Sequence, residues 1–97
     1  MTQSLYNQHL KLVTDTLWRI SDQSEFWNFL EDMMTPQEIV EMGERIKLIQ
    51  LLLQGKTQRE VAAELWISVT TVNRGARMIN YGTGVLKKIL SYSQTKI

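Results

Sequence analysis

The stretch TQREVAAELWISVTTVNRG, Thr57 to Gly75, carries the side chains best suited to chemistry on another molecule. Its outward polar positions are Arg59, Thr70, Thr71, Asn73 and Arg74, with Arg77 just beyond. Its apolar and small positions are Val61, Ala62, Leu65, Ile67, Val69 and Val72. That spacing suits two short helices crossing at a tight turn, with Ala62 small at the crossing and Val61, Leu65, Ile67 and Val72 fixing the angle. Short polar groups at the start of the second helix suit base edges, and arginines around them suit phosphates. An ordinary helical hairpin with a solvated polar face is the plain alternative. Trp66 stands where the turn should fall. Such turns favour glycine, because positive φ costs a bulky L-residue about 1–2 kcal/mol. Packing of the indole over Leu65 or nearby helices is the expected compensation, with stacking near the sugar–phosphate edge of a nucleic acid as the weaker alternative.

Charge is divided along the chain in the same sense. The net charge is +1, but residues 1–56 hold five Lys/Arg against eight Asp/Glu, a balance of −3. Residues 57–97 hold six against two, a balance of +4. Basic surface therefore concentrates on the C-terminal segment, as nucleic-acid binding requires and as a merely solvated lysine-bearing face would also show. Cysteine is absent and His9 is the single histidine, which excludes thiolate chemistry, His/Cys metal sites and any His-based triad. The five glycines fall singly or at helix ends, so no glycine-rich phosphate loop exists. No enzyme and no required cofactor are expected. No apolar run reaches membrane-spanning length and MTQSLYNQHLK lacks a signal pattern. A cytoplasmic protein with no membrane partner is expected.

The elements that must position these groups all read as helices, six in number, making one domain over 1–97. Residues 4–21 carry a broad apolar stripe through Leu5, Leu12, Val13, Leu17, Trp18 and Ile20. EFWNFLEDMM forms a short second helix over 25–33 that is apolar nearly all round, so this chain or another copy must cover it. These two, within 1–33, are the expected dimerisation helices. TPQE at 35–38 is a helix start, with Thr35 as N-cap, Pro36 in the first turn and Glu38 three residues on. The long helix over 35–55 runs to about Gln54, and Gly55 ends it. The helix-turn-helix spans 57–78: one helix from Thr57 or Gln58 to Leu65, then another capped by Ser68 and ending near Met78 or Asn80. NYGTG is a break. VLKKILSY lies in a last helix over 83–93, and the polar tail beyond is expected to fray.

With these elements in place, MTPQEIVEMGERIKLIQLLLQGKTQREVAAELWISVTTVNRG, residues 34–75, resembles the core of the tryptophan repressor family. The shared elements are TP.E, a Gly-x-Arg in the following helix, LL.G, TQRE and a closing RG, in order. The Gly55–Thr57 connection is one residue shorter than in the best-known members, and the rest of the chain agrees in helical layout. The resemblance implies an all-α, six-helix fold and an intertwined homodimer. It also implies a repressor that binds a palindromic DNA operator through recognition helices in successive major grooves. The positions matching its base contacts are Val69, Thr70 and Asn73, with Gln58 and Arg59 on phosphates; Arg77 joins them as an outward arginine. Ala62 stands where members have a lysine, so one DNA contact is missing.

The resemblance further implies a co-repressor site for L-tryptophan or a related molecule. Arg45 and Arg74 match the arginines that sandwich the indole, Thr35 matches a threonine that helps hold the carboxylate, and Gly75 follows Arg74. Guanidinium planes stack on aromatic rings and bind carboxylates in a fork, which makes the chemistry sensible. Each residue also has a plainer reading: Arg45 as a partner of Glu41 or Glu38, Thr35 as a cap, Arg74 as a phosphate contact. Two positions depart from the pattern. Met78 replaces a serine that helps hold the ligand's amino group, and Asp32 stands where an apolar residue is common. MINYG at 78–82 resembles a branch of the family in which no amino-acid effector is established. A helical protein-interaction module without an effector is the competing function.

Overall fold

A computed structural model describes residues 2–91. Within them are six helices and no strand, matching the expected all-α fold. The helices are α1 (Gln3–Leu17), α2 (Gln23–Met33), α3 (Pro36–Leu53), α4 (Gln58–Leu65), α5 (Val69–Tyr81) and α6 (Val85–Leu90). The chain forms two compact units, the first running through Ile39 and the second starting at Val40.

In the first unit, α1 stops earlier than the apolar stripe suggests. Arg19 and Ile20 donate to the carbonyls of Thr16 and Leu17, both at 3.1 Å, and these short-range bonds tighten and close the last turn. Asp22 then caps α2 by accepting the Glu25 N–H at 2.8 Å, while Glu25 accepts the Ser21 N–H at 2.8 Å. No residue of α1 or α2 is buried. Trp18 is 90% exposed and Trp27 65%, and Leu12, Val13 and Met33 are also exposed.

Helix α3 begins in the first unit and continues into the second. Thr35 Oγ1 accepts the Glu38 N–H at 3.1 Å, and Glu38 accepts the Thr35 N–H at 2.9 Å. These reciprocal bonds satisfy two otherwise orphaned donors. Gly55, at φ +96°, ends the helix. That conformation lets Gly55 and Lys56 donate to the carbonyls of Leu52 and Leu51, at 3.0 and 3.3 Å.

The second unit holds the core: Leu48 and Ile49 from α3, Val61 and Ala62 from α4, and Val72 from α5. Leu65 and Ile67 pack half-buried against it, as do Leu86 and Leu90 of α6. The end of the last expected helix, at residues 92 and 93, and the tail after it lie outside the described residues. Helix α5 runs through Tyr81, beyond the expected end, and part of the reason is visible in Arg77. Its guanidinium lies 5.1 Å from the centre of the Tyr81 ring one turn on, a contact that favours continued helix.

Candidate nucleic-acid interface and effector cleft

Helices α4 and α5 form the helix-turn-helix. Thr57 and Glu60 cap α4 reciprocally, with Thr57 N–H donating to Glu60 at 2.8 Å and Glu60 N–H to Thr57 Oγ1 at 3.1 Å. Donation from the Thr57 N–H, and secondarily from the Thr57 side chain, holds the Glu60 carboxyl below its ordinary pKa. Ser68 caps α5 by accepting the Thr71 N–H at 3.1 Å. Between the two helices Ala62 is buried beside Val61 and Val72, where its small side chain lets them cross.

The turn keeps the strained conformation. Trp66 sits at φ 60°, ψ 44°, and the Ile67 N–H reaches back to the Ala62 carbonyl at 3.1 Å. The expected packing of its indole is corrected: the residue is 93% exposed. Leu65, the residue it was expected to cover, packs instead against the core.

Helix α5 has three faces with different surroundings. Val72, Gly75 and Ile79 meet the core. Val69, Thr70, Asn73 and Arg77 share a second, exposed side at helical spacing. Arg59 is exposed at the start of α4, and Gln58 beside it is half-buried. Thr71 does not belong with the outward set. It lies on the third face with Arg74 and Met78, and its hydroxyl is 2.9 Å from that of Ser68.

That third face lines a cleft of about 330 Å³ against α3. Four of the expected ligand residues come together there: Arg45, Arg74, Gly75 and Met78. Thr35 and Asp32 belong to the first unit, Thr35 as the α3 cap and Asp32 exposed on α2. Sequence reasoning missed Glu41, Glu44 and Leu48, which complete the α3 wall with Arg45. Their spacing of three, four and seven residues was the available signal. Gly75 has a packing reason of its own, because a Cβ there would lie 1.9 Å from Leu48 Cδ2. The cleft thus presents guanidiniums and carboxylates around an apolar floor of Leu48, Ile67 and Met78.

Two short helices in contact across a tight turn, in an all-helical chain, define the class of helix-turn-helix proteins. Residues 8–94 match the family model described as Trp repressor protein, and the chain belongs to that family. Membership places it outside the enzymes. It is similar to the "Trp operon repressor homolog" of Xylella fastidiosa (strain M23), 30% identical over 88 residues, covering 88% of this chain and 96% of that one. It is also similar to the "Uncharacterized protein YerC" of Bacillus subtilis (strain 168), 26% identical over 86 residues, covering 89% and 83%. Among solved structures, a TrpR like protein from Eubacterium eligens ATCC 27750 shares the fold. The TM-score is 0.77 at 24% identity, with 91% of each chain covered. No described helix is long and apolar enough to cross a membrane.

Proposed function

We propose that the protein is a sequence-specific DNA-binding transcriptional regulator, a repressor that binds a palindromic operator as a homodimer in the cytoplasm. The observation that carries this reading is the uncovered side of α5. Two faces of that helix are engaged by the core and the cleft, while Val69, Thr70, Asn73 and Arg77 remain exposed beside Arg59. Val69 and the Thr70 methyl suit thymine methyl groups, and Asn73 suits adenine. Gln58, Arg59 and Arg77 suit phosphates. Binding to duplex DNA should weaken steeply with salt as condensed counterions are released. Gel shifts at two salt concentrations test this, and salt-insensitive or absent binding counts against it.

Exposed apolar side chains on α1 and α2, neither of which has a buried residue, support the dimer. A short polypeptide buries this much apolar surface most simply against a second copy.

The cleft supports a small amphoteric effector, with L-tryptophan or a related amino acid as the first candidate. Arg45 and Arg74 suit a carboxylate and the faces of an aromatic ring. Met78 offers an ammonium group no strong acceptor, whereas the carboxylates Glu41 and Glu44 do. Calorimetric titration of L-tryptophan and other amino acids should give a heat that Arg74→Ala abolishes. No heat at roughly millimolar ligand, a weak affinity of about −4 kcal/mol, removes the effector and leaves the DNA reading standing.

A further inference from the structure

The turn between α4 and α5 combines two features that each oppose stability. Trp66 is the one non-glycine residue with positive φ among the described residues, and the residue is 93% exposed. Glycine would make the same turn without strain and without an indole in water. Strain that is not recovered by packing marks a position whose side chain works on something outside the chain.

We propose that Trp66 is a DNA contact, placing its indole against the sugar–phosphate backbone beside the bases met by the start of α5. The proposal rests on reading α5 as a recognition helix. Trp66 stands two residues before Ser68, the α5 cap, and three before Val69, itself exposed. An indole suits this surface: its apolar face covers deoxyribose carbons, and Nε1–H donates to a phosphate oxygen. The nearest acidic residue in sequence, Glu64, lies 3.5 Å from Lys56, so its charge is offset beside the turn. A second protein copy is the poorer occupant. Ser68 and Thr70, just after the turn, are polar and exposed, while the broad apolar surface of the chain lies on α1 and α2.

Trp66→Gly separates the contact from the fold. Its thermal midpoint should rise, since strain is relieved, and its mass by sedimentation should equal that of wild type. Affinity for a palindromic duplex should fall about tenfold, a loss typical of truncating an aromatic contact. The dependence of log K on log salt should keep its slope, because the indole carries no charge. Arg59→Ala, measured alongside, should reduce that slope by about one. Trp66→Phe, which keeps a ring but loses the Nε1–H donor, should recover part of the affinity. Should Trp66→Gly fail to fold, Trp66→Asn, which also tolerates this conformation, reads the same loss. Wild-type affinity in Trp66→Gly, or loss of the dimer in that variant, overturns the proposal while the DNA reading stands. Absence of DNA binding by the wild type overturns both.

Discussion

Trp27→Asp is expected to break the protein into poorly folded single chains, although Trp27 is 65% exposed in the isolated chain. An exposed residue without special contacts normally changes stability by less than about 0.5 kcal/mol when replaced. Trp27 differs because α2 has no buried residue and only 11 residues in all. A helix that short does not hold itself in water and takes its stability from packing. Its neighbours Phe26 and Leu30, with Ile20 before the helix, form an apolar groove with Trp27 in the same unit. If a second copy fills that surface, removing the ring costs about 3–5 kcal/mol, and the buried charge adds to it. Sedimentation equilibrium and thermal unfolding check this together. A variant with wild-type mass and an unchanged midpoint would mean that the face stays open in solution.

Gly75→Ala is expected to destabilise the second unit by about 1–3 kcal/mol, the usual result of overfilling a packed core. The added methyl would lie 1.9 Å from Leu48 Cδ2 and 3.3 Å from Leu48 Cγ. Leu48 is only 4% exposed, so it has little room to turn away. The same displacement narrows the cleft that both residues line. Leu48→Ala removes the colliding atoms, so Gly75→Ala should cost much less in that background. Denaturant unfolding of both single variants and the double variant measures this coupling. Additive effects would show that the close approach of α3 and α5 is not what demands glycine.

These two positions also show what the sequence could and could not tell. Local signals worked where the physics is local. Thr35 with Glu38, Thr57 with Glu60, and Ser68 all cap as their residue types suggest. Gly55 adopts the positive φ that stops α3, and Val61, Ala62 and Val72 are buried as their spacing requires. What was hidden depends on how one helix is rotated against another. Thr71 reads as outward until α3 is placed beside it, and Glu41 and Glu44 read as solvated charge until they form a wall. Trp66 misled for a different reason. A tryptophan is normally a packing residue, and composition cannot show that the surrounding apolar groups are already occupied. The end of α1 was missed because apolar periodicity continues through Trp18 and Ile20 while the backbone closes on Thr16 and Leu17.

The central claim is that the open side of α5 reads bases in duplex DNA. The most direct test compares the affinity of wild type and Asn73→Ala for a palindromic duplex from the protein's own promoter region and for a scrambled one. The account predicts that wild type prefers the palindrome and that its binding falls steeply with salt. Asn73→Ala should lose about 1–3 kcal/mol on the palindrome and little on the scrambled duplex. Equal loss on both duplexes would remove Asn73 from base reading. No salt-sensitive DNA binding at all, with or without added amino acids, would contradict the account.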